Sequence, residues 1–133
     1  MIRYATENDF DTLVSLDHHI SPTELKNAIE SQKIIVAEDS CGLAGWLRYS
    51  LFWGNMPFMD MLYILDEKRG QGLGGNLVEY WESEMKRMGY EVVLTSTLSS
   101  EWAQFFYRKH GYVDCGSLIL PGEPLEIILR KSL

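Results

Sequence analysis

A chain of 133 residues is long enough to bury one sizeable core, so a single domain spanning residues 1–133 is expected. Its hydrophobic share of 46% and charged share of 23% are ordinary for a globular protein. A net charge of −7 argues against a general nucleic-acid binder, and no run approaches the roughly 20 apolar residues of a membrane span. Cys41 and Cys115 stand alone without C-x-x-C spacing, so neither a disulfide framework nor a metal site is indicated. The opening Met-Ile-Arg-Tyr-Ala-Thr has no signal-peptide apolar core, which leaves the cytoplasm as the expected compartment.

Taken in order, Ile2 to Ala5 reads as a short strand, and Thr6 caps a helix whose apolar face is Phe10, Leu13, Val14 and Leu16. His18 and His19 follow. Adjacent positions point about 100° apart on a helix and no ligand spacing accompanies them, so a surface or pocket-rim place is expected rather than a metal. Ser21-Pro22-Thr23-Glu24 starts a second helix, with Ser21 as cap and Leu25, Ala28 and Ile29 as its buried side. Lys33 to Asp39 is a strand, Ser40-Cys41-Gly42 a turn, and Gly42 through Trp53 the partner strand of a hairpin. On that strand Trp46, Arg48, Ser50 and Phe52 share one face and Leu47, Tyr49, Leu51 and Trp53 the other, as in a central strand covered on both sides. Arg48 is either an edge charge or the partner of a carboxylate. After a turn at Gly54-Asn55-Met56-Pro57, Phe58 to Leu65 is again a strand.

Arg69-Gly70-Gln71-Gly72-Leu73-Gly74-Gly75 comes next, followed by Leu77, Val78, Trp81, Met85 and Met88, which with Leu73 form one helix face. A glycine-rich turn thus joins a strand to a helix start, where free N–H groups and the positive end of the helix dipole suit a phosphate or pyrophosphate. Two phosphate motifs fail on residues they require. Gly70, Gly72 and Gly75 spell G-x-G-x-x-G, but Asp66-Glu67-Lys68-Arg69 separate them from the strand and no acidic residue ends the next apolar run. Gly70 and Gly75 have Walker A spacing, yet Asn76 and Leu77 stand where Lys and Ser/Thr belong. Beyond the helix, Gly89 is a C-terminal stop and Glu91 to Thr97 a strand, parallel to the previous one through a helical crossover. Ser99 or Ser100 caps a short helix from Glu101 to His110, ended by Gly111. Tyr112 to Leu120 and Leu125 to Arg130 form an antiparallel pair around Pro121-Gly122-Glu123-Pro124.

Arg69, Gly72 and Gly74 fill the remaining pattern, R/Q-x-x-G-x-G/A, and here the chain resembles the GNAT superfamily of N-acetyltransferases. Phe105-Phe106-Tyr107-Arg108-Lys109-His110-Gly111-Tyr112 is similar to that family's second signature, and the element order β-α-α-β-β-β-α-β-α-β-β is its topology. The resemblance implies an α/β fold with a mixed α+β sheet of six or seven strands flanked by about four helices. It also implies acetyl-CoA as cosubstrate, without a metal. Its pyrophosphate would lie on Arg69, Gly70, Gln71, Gly72, Leu73, Gly74 and Gly75, and its pantetheine arm would pair with the backbone of Leu62, Tyr63 and Ile64 where that strand splays from its neighbour. A backbone N–H there would polarise the thioester carbonyl. Tyr107 would approach the sulfur as general acid, while Phe105 and Phe106 are expected in the helix core. Ser100 stands where the family commonly has a cofactor-binding Asn.

The acceptor implied is a primary amine of a small molecule or peptide, with neither nucleic acid nor membrane involved, on a monomer or homodimer. Asp60 lies four residues before Ile64 on the same strand face and matches a position where some members carry the base, the other reading being a solvated or salt-bridged strand-end carboxylate; Glu101 and Glu126 are further candidates, and where several members carry a base on the strand before the second signature this chain offers only Thr95 and Thr97, which leaves a water chain as the alternative. Trp46, Tyr49, Trp53, His18 and His19 suggest an aromatic-lined acceptor pocket. The alternative from a different class is a non-catalytic CoA-binding or sensor domain, motivated by Ser100. A nicotinamide enzyme is more distant.

Overall fold

The computed structural model describes residues 1–133. Its elements are β1 (Ile2–Tyr4), α1 (Phe10–Leu16), α2 (Pro22–Glu30), β2 (Ile34–Asp39), β3 (Gly42–Phe52), β4 (Met56–Ile64), α3 (Leu73–Arg87), β5 (Val92–Leu98), α4 (Ala103–Lys109), β6 (Val113–Leu118) and β7 (Glu126–Ser132). The seven strands form one mixed sheet in the order β1-β2-β3-β4-β5-β7-β6, the α/β architecture that the element order implies. No helix is long and apolar enough to cross a membrane.

The chain packs as two compact units, Met1–Tyr49 with Met61–Trp81, and Ser50–Asp60 with Glu82–Leu133. In the first, the α1 and α2 stripes close over the strands: Leu13, Leu25 and Ile29 bury with Ala5, Ile34, Val36 and Trp46. Apolar residues at helical spacing meet alternating residues of β2 and β3, so one layer of helix covers one face of sheet. Two short capping arrangements fix the helix starts. Asp9 accepts from the Thr6 N–H at 2.8 Å while paired with Arg3, and Ser21 Oγ accepts from the Glu24 N–H at 3.2 Å, with Pro22 at the first helical position. β3 is buried on both faces from Ala44 to Tyr49, as its two apolar sets require.

In the second unit β4 and β5 are parallel, with Phe58 opposite Leu94 and Met59 opposite Thr95, and β7 runs antiparallel to β5 and to β6. α3 and α4 each end on a glycine in the left-handed region, Gly89 at φ 95° and Gly111 at φ 93°. The following N–H reaches back five residues in each case, from Tyr90 to Met85 and from Tyr112 to Tyr107. That is the Schellman arrangement, and it turns each helix sharply into the next strand.

Several boundaries differ from the sequence reading. Trp53 does not continue β3; it adopts φ 57° in the turn and is 80% exposed. β4 begins at Met56, inside the expected turn, because Pro57 heads a strand without needing its missing N–H. Met88 falls beyond α3 and is exposed, so the buried stripe stops at Met85. Ser99 and Ser100 do not cap α4: the helix starts at Ala103, and the preceding turn is held instead by the Gln104 amide donating to the Ser99 and Glu101 carbonyls. Phe105 is 54% exposed on that helix, ringed against Trp102, rather than in the core.

Candidate functional site

The glycine turn belongs to the first unit. After β4 the chain makes a short helical turn, Asp66–Lys68, which accounts for the residues between strand and glycines. It is anchored twice: the Leu65 N–H donates to the Ala44 carbonyl at 2.9 Å, and the Lys68 ammonium meets Asp39 at 2.7 Å, holding that carboxyl below its usual range. Arg69 then folds back on its own strand. Its Nε donates to the Ile64 carbonyl at 3.0 Å, its guanidinium meets Asp66 at 3.1 Å, and it lies 5.2 Å over the Tyr63 ring. Arg69 therefore braces the loop against Tyr63 and Ile64, three expected site residues brought together.

Gly70 and Gly72 take φ of 81° and 78°, which only glycine adopts without strain. A Cβ built on either would meet no protein atom within 4 Å. The glycines are thus required by backbone direction, and the space beside them is open. The Gly72 carbonyl accepts from Asn76 N at 3.1 Å and starts α3, with Leu73, Gly74 and Gly75 in the first turn. Helix geometry leaves the N–H groups of that first turn without helical partners. Gln71 is exposed beside them. Gly45 is a site residue that the sequence reading missed. Its Cβ would stand 2.6 Å from the Tyr63 carbonyl oxygen and 2.6 Å from Ile64 Cδ1, so only glycine lets β3 come this close to the end of β4. The signal available was a lone glycine inside a strand pattern.

Tyr107 lies in the second unit, at the last turn of α4. It is 6% exposed, with Phe106 and Tyr112 edge-on at 5.4 and 5.7 Å. Burial pushes its phenol up to about 12; the Glu101 charge adds to this and a hydrogen bond with Thr95 works against it. At neutral pH the hydroxyl is protonated and can donate. Thr95 in turn donates to the Met59 carbonyl at 3.1 Å. Behind Tyr107, the Tyr112 hydroxyl donates to Glu82 at 2.7 Å, and Lys131 meets the same carboxylate at 2.9 Å. Asp60 follows Met59 on β4 and is exposed, and Ser100 is exposed in the turn before α4. Glu126 heads β7 and is partly buried.

The suggested aromatic acceptor pocket is not built from the residues expected. Trp46 and Tyr49 are core: Trp46 packs with the α1 and α2 stripes, and Tyr49 lies 5.8 Å from the buried Trp81. His18 and His19 are exposed, and His18 lines a cavity of about 220 Å³ with Val14, Asp17, Ile20, Pro22 and Leu25, a rim position as expected. Arg48 is the partner of a carboxylate: its Nε donates to Asp17 Oδ2 at 3.0 Å, and that oxygen also accepts from the Trp46 indole at 3.3 Å. Asp17 has no sequence signal, because its partner stands 31 residues away.

The family model for the acetyltransferase (GNAT) domain matches residues 30–114. None of the curated protein sequences matches the chain. Among solved structures, Ard1 from Thermoplasma volcanium superposes with a TM-score of 0.85 at 15% identity, over 100% of this chain and 97% of that one. The ribosomal-protein-alanine N-acetyltransferase of Brucella melitensis gives 0.82 at 20% identity, over 100% and 99%. N-acetylglutamate synthase from Neisseria gonorrhoeae, complexed with coenzyme A and N-acetyl-glutamate, gives 0.84 at 17%, over 100% of this chain and 35% of that one. At such identities the likeness speaks for the fold.

Proposed function

Since the chain belongs to the GNAT acetyltransferase family, we propose that it moves an acetyl group from acetyl-CoA directly to a primary amine of a small molecule or peptide. The observation that carries this reading is Tyr107, a buried and protonated phenol, in a chain that also has a glycine turn opening α3. The turn fits a pyrophosphate: its glycines leave open space, and the first-turn N–H groups of Leu73, Gly74 and Gly75 supply donors at the positive end of the helix. Arg69 serves mainly as a brace, given its bonds to Ile64 and Asp66. The backbone of Leu62, Tyr63 and Ile64 is the edge that the pantetheine arm would pair with, and Gly45 keeps that edge in place. Ser100 would offer one hydroxyl contact in place of an amide.

In the transfer, the amine loses a proton and its lone pair adds to the thioester carbonyl carbon. Asp60, carried on the strand beside Thr95, is the proposed base. As the carbon–sulfur bond breaks, the electron pair passes to sulfur, and Tyr107 gives it a proton. The solved relatives named for N-acetylation, and the one complexed with coenzyme A and N-acetyl-glutamate, support an amine acceptor as a class. The net charge of −7 favours a cationic acceptor over nucleic acid or an acidic membrane surface. On this reading the enzyme works in the cytoplasm as a monomer or homodimer, with no metal. The test is release of the CoA thiol from acetyl-CoA against a panel of primary amines. Amine-dependent release is expected; acetyl-CoA binding without turnover across the panel would favour the non-catalytic CoA-binding alternative.

A further inference from the structure

The two edges of the sheet are built differently. β1 is three residues long, and its Arg3 meets Asp9 at 2.8 Å and Glu38 at 3.0 Å. A short strand that carries a charge is a poor template for a further strand. β6, at the other edge, is exposed at every residue and contains no lysine, arginine or proline. A bulge between Asp114 and Gly116 bends its start. Past the bulge, Gly116, Ser117 and Leu118 pair in register with Ile128, Ile127 and Glu126 of β7, and no strand covers their outer side.

The exposure runs on past the strand. Every residue from 113 to 125 is exposed, Val113, Leu118, Leu120 and Leu125 among them, with Ile119 at 88%. This segment presents on the order of 1,000 Å² of surface, where a stable interface takes about 800 Å² from each partner. Its only charges are Asp114 and Glu123, and Arg108 holds Asp114 at 3.0 Å. From Cys115 to Gly122 there is no charged residue, in a chain whose net charge is −7. Near a twofold axis each side chain meets its own copy, so an acidic protein that pairs with itself needs an uncharged stretch there. A partner recruited by charge would find nothing in this stretch to pair with.

We propose that β6 is the self-association edge of this protein: two copies pair β6 with β6, antiparallel across a twofold axis, and each covers Leu118, Ile119 and Leu120 of the other. Pairing of an edge with itself is isologous and closes at two copies. The guarded β1 edge disfavours head-to-tail addition of β6 to β1, which would grow without end. Strand-to-strand hydrogen bonds supply the direction of the contact, and burial of the apolar side chains supplies most of its strength. The assignment does not depend on the acetyl-transfer reading.

The test is sedimentation of the wild type in reducing buffer, which keeps the exposed Cys41 and Cys115 from cross-linking copies. The mass should rise from 15.3 kDa toward twice that value between about 1 and about 100 μM protein. Leu118→Lys combined with Ile119→Lys sets like charges about the axis and should raise the dimer dissociation constant at least about 10-fold. Met88→Lys, the same change at an exposed apolar site outside the segment, should leave it within about 2-fold. Hydrogen exchange of the wild type should show the amides of Gly116, Ser117 and Leu118 gaining protection as concentration rises. Thermal unfolding checks that each variant is folded, and the wild-type exchange pattern decides alone if the double variant is not. A wild type that stays monomeric throughout overturns the proposal, including the case where β6 is protected only by an added acceptor peptide or another protein. So do a dimer indifferent to the double substitution, protection confined to β1, or growth past two copies.

Discussion

Tyr107 is prepared by exclusion of water more than by any partner. Desolvation leads the forces that raise its phenol from 10 to about 12, and Thr95 only moderates it. The sign follows directly: a group raised on folding favours the folded protein below its ordinary value, and that contribution is lost as pH climbs from about 10 toward about 12. Tyr107 should therefore produce no falling limb in the rate between pH 7 and 10. Tyr107→Phe keeps the ring against Phe106 and Tyr112 and removes only the hydroxyl. Turnover should drop on the order of 10- to 1,000-fold with acetyl-CoA affinity near normal; a wild-type rate with chemistry rate-limiting would remove the hydroxyl from the mechanism. At this scale the sequence was informative where residues sit in a motif, as Tyr107 and Arg69 do. It was silent on Asp17, whose burial beside Arg48 and Trp46 depends on a contact made only after α1 docks on β3.

Elements were easier to read than their ends. Periodicity identifies α2 and α3 because buried stripes repeat locally, and the Schellman glycines mark where α3 and α4 stop. Starts were harder: α4 opens without a side-chain cap, since Gln104 holds the turn from inside the helix and leaves the serines without that task. The glycine turn separates two kinds of substitution. Gly72→Ala places a Cβ in open space and should cost only backbone strain, about 1–2 kcal/mol, with acetyl-CoA affinity largely kept. Gly72→Glu adds bulk and negative charge at the proposed pyrophosphate site and should weaken acetyl-CoA by at least about 100-fold in calorimetry. Equal affinity in the two variants would mean that the turn does not hold the cosubstrate. At Gly45 the fault is contact instead. A methyl 2.6 Å from the Tyr63 carbonyl must displace β4, so Gly45→Ala should destabilise by roughly 1–3 kcal/mol in denaturant unfolding and raise the KM for acetyl-CoA. Unchanged stability would show that the strands yield there without cost.

The whole sheet has a connectivity that local patterns do not reveal. An antiparallel pair after α4 is visible in the sequence, but nothing in the periodicity of β6 or β7 says which of them pairs with β5. The answer is the later one: β7 lies between β5 and β6, with Leu129 fully buried along it. Folding of this half therefore cannot proceed by adding strands in the order they leave the ribosome. Until β7 inserts, β5 and β6 each present an open edge, and β6 is exposed along its length even afterwards. Closing that gap joins segments far apart in sequence, the slow kind of event in folding. Leu129→Ala should accordingly slow refolding as well as lower stability, measured by stopped-flow fluorescence; an effect confined to the unfolding rate would place β7 insertion after the barrier. During synthesis the same topology leaves a nascent chain with two unsatisfied strands until β7 emerges. The interval before β7 arrives is thus when this protein is most exposed to aggregation, and most in need of a chaperone.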